Sequence, residues 1–380
     1  MRGSRPSRGP DPAGPVVWPL YLGGFLGPFA GAMLNTMLPE LAAAFDTTVE
    51  VSGSAVTAYL LPFAALMPIS GLVAARLGAE RTVRWAYVLY VLASLICAAA
   101  PDFGTFFAGR VLQGTANAFT TPLLITMIAE RVPAGRMGRS LGTYASMQAA
   151  GQAFAPFVGG LTAGVDYRLA FLAVAGAATG LALATPQARS GNTRTQRPPW
   201  RPLLNWRLTQ AGAVAFTVQF ASTGIMLIAA LEASDRFGLS PAARGLVVAT
   251  FGLAGLASGR LTGAIADRYG MRRTGFAALV VLSLAVSATA WPPTVALLVL
   301  AVVTAGVAAT VARTMTSTFA VRSTPENRST ATALALSTQF LGSAVAPVLL
   351  PLYTTSVVAA CLLAGAVAAL GAALTTFRPR

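Results

Sequence analysis

Few residues in this sequence can do chemistry inside its apolar blocks, and they fall into two types. "GRVLQGTANAF" places Arg110, Gln113 and Asn117 at spacings of three and four, one face of a helix. A second arginine, Arg313, and the amides Asn35, Gln148, Gln152, Gln219 and Gln339 lie in other apolar blocks. An arginine within such a block costs on the order of a few kcal/mol and normally faces a wet or polar interior. For Arg110 the alternative is to snorkel to the interface, since it stands near the start of its block. The amides either line a cavity or hydrogen-bond between helices. Phe25, Phe29 and Phe220 are candidates for an apolar wall beside them.

The missing residue types narrow the chemistry further. There is no His, and all 27 basic residues are Arg. A His proton relay, a Ser–His pair, a His-rich metal site and a phosphate-binding loop lysine are therefore absent. No enzyme, metal or cofactor is expected. No Asp or Glu stands at the middle of an apolar block. Glu40, Glu130, Glu232 and Asp235 lie near block ends, as proton carriers or as ordinary interfacial charges.

These residues must be positioned by helices in a bilayer. The chain of 380 residues is 55% hydrophobic and 10% charged, with mean hydropathy +0.66, where a soluble domain carries about 25% charged residues. Twelve apolar blocks start near residues 16, 52, 82, 104, 140, 168, 208, 243, 274, 294, 329 and 354. Each approaches the ~20 residues that span a bilayer as helix. The first is too long for a signal-peptide core and is expected to stay. With the N-terminus inside, all but six arginines (Arg110, Arg168, Arg236, Arg244, Arg260 and Arg313) fall on the cytoplasmic side. The +15 net charge is thus a topology signal and not a nucleic-acid footprint. Cys97 and Cys361 both lie within spans, so no disulfide framework is implied.

The blocks divide into two similar sets. Residues 1–15 read as a disordered tail, 16–186 as a six-helix bundle, 187–207 as a Pro- and Arg-rich cytoplasmic linker, and 208–376 as a second bundle. "GLVAARLGAER" starts at Gly71 and "GAIADRYGMRR" at Gly263, an offset of 192. Gly114 and Gly306, Pro133 and Pro325, and Arg136 and Arg328 share that offset, and Pro156 meets Pro347 one residue short of it. This is a tandem duplication, and parallel repeats of this kind build transporters with a midplane site between the halves.

On these motifs the chain resembles the major facilitator superfamily, and within it the twelve-helix drug:proton antiporters. The loop motif G-x-x-x-D-R-x-G-R-R is matched by Gly263, Asp267, Arg268, Gly270, Arg272 and Arg273. The first-half copy keeps Gly71, Arg76 and Gly78, but Ala75 replaces the acid and Glu80 is the candidate to compensate. The charged turn is either a conformational latch or a positive-inside turn with local ion pairs. Arg110, Gln113 and Gly114 match R-x-x-Q-G, which the resemblance ties to proton coupling. "GQAFAPFVGG" resembles the antiporter signature through Gly151, Ala155, Pro156, Gly159 and Gly160. Its small face is expected to cross the eighth block at Gly255, Gly259 and Gly263, with Pro156 setting a bend. Relatives with a similar first block often carry an Asp nine residues before the proline; here that position is Ala30.

The resemblance implies an all-α membrane protein of the major facilitator fold, a secondary transporter exporting a lipophilic drug or small metabolite against protons. Few fixed acids suit neutral or anionic lipophiles at least as well as cations. A carrier dedicated to one metabolite, such as an organic acid or sugar, is the alternative, and a non-transporting sensor a remote one. The expected setting is the plasma (inner) membrane with both termini cytoplasmic. The expected partners are the bilayer, a small-molecule substrate and protons, with function as a monomer.

Overall fold

The computed structural model describes residues 17–185, 206–323 and 328–376. The proposed tail lies outside the described residues, as does the linker except for its last two residues, which open a helix. So do the side-chain positions of Gly263 and Asp267. The first half contains α1 (Trp18–Ala32), α2 (Leu38–Ala44), α3 (Val49–Leu66), α4 (Ser70–Leu77), α5 (Ala79–Ala99), α6 (Phe103–Ala118), α7 (Thr121–Arg131), α8 (Met137–Ala163) and α9 (Arg168–Ala184). The second contains α10 (Trp206–Asp235), α11 (Pro241–Tyr269), α12 (Met271–Ala288), α13 (Val295–Ser323), α14 (Arg328–Val345), α15 (Leu349–Thr355) and α16 (Val357–Thr376).

The apolar blocks become helices because a helix satisfies its own backbone where no water is available. Each expected block start falls within a few residues of a helix start. Eight stretches among the described residues, from Val49–Leu77 to Val357–Thr376, are long and apolar enough to cross a bilayer. The short helices follow interruptions. Single 3-10 turns occupy Met33–Thr36, Met67–Ile69 and Ala346–Val348, and α6 gives way to α7 at Phe119 and Thr120. A proline stands in or just after each: Pro39, Pro68, Pro347 and Pro122. Proline has no N–H to donate, so it is tolerated where a helix restarts. By contrast, α8 runs through Pro156 as one helix, so no break occurs there.

The duplication is visible as repeated geometry. Gly78 and Gly270 both take positive φ (86° and 83°), a conformation that favours glycine. Four residues on, the Thr82 and Thr274 hydroxyls donate back to these glycine carbonyls at 2.8 and 3.0 Å. Gly114 seats against the Tyr59 carbonyl and Gly306 against the Phe251 carbonyl, both partners shifted by 192. Gly151 likewise meets the Phe25 carbonyl, and Gly342 that of Phe216, each shifted by 191.

The halves meet chiefly where α8 packs on α11 and α3 on α14. The helices expected to cross do so, but through different glycines. Gly160 seats on the Pro241 carbonyl, Gly245 on the Pro156 carbonyl and Gly252 on Ala153. Gly151 and Gly159 instead face α1 and the turn after it, at Phe25 and Met33. Gly255 faces Thr310 of α13, inside its own half, and Gly259 faces open space. An α-helix has several faces of small residues here, and four-residue spacing alone does not say which faces the other half.

A side chain at Gly160 must therefore push the halves apart, whereas one at Gly259 meets nothing. Gly160→Leu should lower the stability of the detergent-purified protein by about 1–3 kcal/mol, an overpacking penalty. Gly259→Leu should leave it near wild type. Thermal unfolding followed by size-exclusion chromatography separates the two.

Candidate functional site

A cavity of about 340 Å³ lies between the halves. It collects Asn35, Asn117, Gln148, Gln152, Gln219, Arg313 and Gln339, all the cavity candidates the sequence offers apart from Arg110 and Gln113. They come from the turn after α1 and from α6, α8, α10, α13 and α14. A larger groove of about 610 Å³ runs along α11, α12 and α13, and another of about 280 Å³ adjoins Arg207 and Arg272. Both belong to the second half; the larger is walled almost wholly by apolar groups, and the smaller also meets Gln210, Thr316 and Ser323. The cavity between the halves is the one lined by polar side chains from both halves, so it is the candidate site.

Its geometry is specific. Arg313 Nη1 donates to Gln152 Oε1 at 3.1 Å, linking α13 to α8 across the halves. Thr223 Oγ1 donates to Ser343 Oγ at 2.9 Å. Asn117 Oδ1 accepts from the Thr120 and Thr121 hydroxyls at 3.1 and 3.2 Å, at the interruption after α6. The Asn35 Oδ1, Gln219 Oε1 and Arg313 Nε atoms are buried without partners. The apolar wall is not the expected one. Phe25 and Phe29 stack on each other at 5.3 Å, and Phe220 is buried away from the cavity lining. Tyr59, Phe63 and Phe340 take that role, with Phe63 and Phe340 meeting across the halves at 4.4 Å between centroids. Tyr59 hydrogen-bonds the Gly27 carbonyl at 2.9 Å and Tyr90 at 3.0 Å. No spacing in the sequence distinguishes these aromatics from any others in the apolar blocks.

Arg110 and Gln113 form a separate, dry network. Arg110 is wholly buried, so it does not snorkel. Its Nη1 donates to Gln113 Oε1 at 2.7 Å and to the Ala30 carbonyl at 3.2 Å, and its Nε to the Ala55 carbonyl at 3.4 Å. Gln113 Nε2 donates to Ser94 Oγ at 2.7 Å. The guanidinium stacks over the Tyr59 ring, 4.3 Å from its centroid, while Nη2 has no partner. Asn117 stays on the same face but about 10 Å further along α6, two helical turns on, where that face meets the cavity. Asp102 caps α6, accepting from the Thr105 N–H and hydroxyl at 2.9 Å each. Those hydrogen bonds hold its carboxylate below the usual range. The contact with Ala30 is notable: the position where similar antiporters carry an acid offers only its backbone.

The acids take different places. A Glu40 carboxylate oxygen pairs with Arg244 Nη2 across the halves, and Arg244 also donates to Ser234 Oγ at 3.0 Å and to the Thr36 carbonyl at 3.3 Å. Glu232 Oε1 and Asp235 Oδ2 share the Tyr353 hydroxyl at 3.3 and 3.1 Å, with Arg236 3.9 Å from Glu232. Glu130 is exposed. At the loop motifs, Arg76, Arg268 and Arg273 are exposed, and Arg272 donates to the Thr375 and Thr376 carbonyls at the end of α16. Glu80 pairs with Arg131 at 2.8 Å inside the first half. Arg244 reads in the sequence only as one of the few arginines placed outside, with nothing to mark its pairing with Glu40.

A family model described as Major Facilitator Superfamily matches residues 20–213 and 211–380. The chain belongs to the Major Facilitator Superfamily. As a member it is a multi-pass membrane protein. A methylenomycin A resistance protein of Streptomyces coelicolor is 30% identical over 151 residues, 40% of this chain and 32% of that protein. The lincomycin resistance protein LmrB of Bacillus subtilis is 28% identical over 147 residues, 39% and 31% of the two chains. The drug efflux pump JefA of Mycobacterium tuberculosis is 30% identical over 142 residues, 37% and 28% of the two chains. The chain matches about a third of the length of these relatives. The crystal structure of a mutant of nucleoside transporter NupG superposes with a TM-score of 0.77, covering 95% of this facilitator and 98% of that chain at 16% identity. That likeness shows the fold.

Within this facilitator, Gln113 is the neutral bridge between a buried cation and Ser94. Gln113→Leu should lower stability by about 1–3 kcal/mol, because it leaves both partners unsatisfied. Gln113→Glu, which supplies an anion to Arg110, should match or exceed wild type. Thermal unfolding in detergent at neutral pH reads both.

Proposed function

We propose that this chain is a secondary transporter that exports a small, lipophilic molecule by alternating access. In this reading its helices form twelve spans in two six-helix bundles, 16–186 and 208–376, each short helix continuing the span before it. Both termini face the cytoplasm of a plasma (inner) membrane, and the protein works as a monomer. The observation that carries the reading is the cavity between the halves, which gathers Arg313 and the amides Asn35, Asn117, Gln148, Gln152, Gln219 and Gln339 from six segments of the two halves. The names of the resistance and efflux relatives favour export.

The hydrogen bonds between the halves give a conformational reading. Among the described residues these include, besides Arg313–Gln152, Arg244 to Glu40 and Thr36, and Thr57 to the Ala344 carbonyl at 2.6 Å; within the first half, Thr36 Oγ1 donates to the Pro156 carbonyl beside them. Gly160 and Gly245 lie at the same end. Taken as the outer end, it is closed in this state, and the buried Glu40–Arg244 pair is its latch. The loop-motif latch that the resemblance implies would serve the opposite end.

Proton coupling belongs to this reading through the resemblance. Among the described residues no carboxylate lines the cavity. The titratable pair best placed to carry a proton is Glu232 with Asp235, which share the single Tyr353 hydroxyl beside Arg236. The ring of amides also suits a carrier dedicated to one polar metabolite, the second reading.

In a bacterium lacking its own efflux pumps, the wild-type chain should raise the inhibitory concentration of some antibiotics or dyes at least about fourfold. Arg110→Ala at equal membrane abundance should not. Protection against nothing in a broad panel favours the dedicated carrier. Removing one member of the buried pair in Glu40→Gln should open the outer end. Spin labels in the α2–α3 and α10–α11 turns should then show a several-fold larger long-distance population than in wild type.

A further inference from the structure

The central cavity carries one charge, and its sign points to the ligand. We propose that the transported molecule is an organic anion, a compact apolar body bearing one carboxylate or similar group, anchored by Arg313. The inference rests on the transporter reading above and names the substrate class of the same site.

Arg313 is the only charged residue among the described residues that line the cavity. Its guanidinium stays protonated under any physiological condition. Each ion pair among the described residues lies elsewhere: Glu80–Arg131, Asp166–Arg168, Glu232–Arg236 and Glu40–Arg244. Arg313 is left with a neutral acceptor, Gln152 Oε1 at 3.1 Å, and with Nε buried and unpartnered. A cation out of bulk water with no counter-charge is costly, and an incoming anion relieves that cost. Arg110 also lacks a carboxylate and has Nη2 unpartnered, but it is wholly buried among carbonyls, Gln113 and an aromatic face outside the cavity lining, where no ligand reaches it.

The rest of the cavity fits such a ligand. Phe63 and Phe340 supply an apolar contact at the seam of the halves. The unpartnered Asn35 Oδ1 and Gln219 Oε1 accept from a hydroxyl or N–H on the body. A cationic drug meets a like charge and no carboxylate. Position also matters, because Arg313 and Gln152 belong to different halves. An anion that takes Arg313 Nη1 competes with Gln152 for a hydrogen bond between the halves, so binding weakens a contact that holds this state together. An anion that leaves a negative cell interior moves downhill in potential, and exchange against an inward proton adds to that drive.

The test uses the purified full chain in proteoliposomes with an imposed potential, negative on the side of the loop motifs. The probes are benzoate and fluorescein as anions, chloramphenicol as a neutral compound and tetraphenylphosphonium as a cation. Wild type should move at least one anion, faster with the potential imposed, and Arg313→Gln should slow it at least tenfold. Arg313→Lys should recover part of the rate. Should Arg313→Gln fail to fold, the charge selectivity of wild type and Arg313→Lys still decides. Movement of chloramphenicol or tetraphenylphosphonium alone, or anion movement equal in Arg313→Gln, overturns the anion class and leaves the transporter reading standing. Movement of no probe by wild type overturns both.

Discussion

A glycine of one helix seated against a backbone carbonyl of its neighbour recurs at the main helix crossings of this molecule. In lipid there is no hydrophobic gain from pairing two apolar helices, so association depends on close van der Waals contact. Gly114 on the Tyr59 carbonyl and Gly306 on the Phe251 carbonyl bring corresponding helices together within each half. Gly151 on the Phe25 carbonyl and Gly342 on that of Phe216 do the same one layer away. Gly160 on Pro241 and Gly245 on Pro156 use that contact between the halves, at the end where Arg244 meets Glu40.

Three arginines removed from bulk water show three solutions to the same electrostatic problem. Arg110 is enclosed by carbonyls, an amide and the Tyr59 face, so it acts as a fixed strut among α1, α3 and α6. Arg244 is neutralised by Glu40 on the other half, so its energy depends on how the halves stand. Arg313 has an amide and an unsatisfied Nε, beside a cavity. A strut, a contact that depends on conformation and an open valence are what a carrier of alternating access requires. The duplicated scaffold supports them asymmetrically. Residue 302, which stands opposite Arg110 at the repeat offset, is a buried valine.

The sequence by itself determined that the apolar blocks are helices, where each begins to within a few residues, and the repeat. Hydropathy and proline placement are local, and a helix in lipid satisfies its backbone without help from its neighbours. It also determined which polar residues would be costly in a span. Asn35, Gln152, Gln219, Arg313 and Gln339 were legible as cavity candidates because a polar group in an apolar block either lines a cavity or hydrogen-bonds between helices, and local pattern alone did not choose between the two. The turns at Gly78 and Gly270 were legible for the same local reason, since a positive φ selects glycine.

Only the tertiary structure decided which faces meet. Gly255 and Gly259 lie four apart on α11, yet one faces α13 and the other open space, while Gly245 and Gly252, seven apart, meet the other half. Helical periodicity fixes relative angle on one helix but not its rotation against another. Arg110 and Asn117 share one face of α6, yet two turns apart along it they meet different neighbours. The aromatic wall at Tyr59, Phe63 and Phe340 and the Glu40–Arg244 pair, 204 residues apart, follow from that packing. Contacts between distant segments depend on helix rotation and tilt, and these are set by the sum of many weak packing terms that no local pattern records.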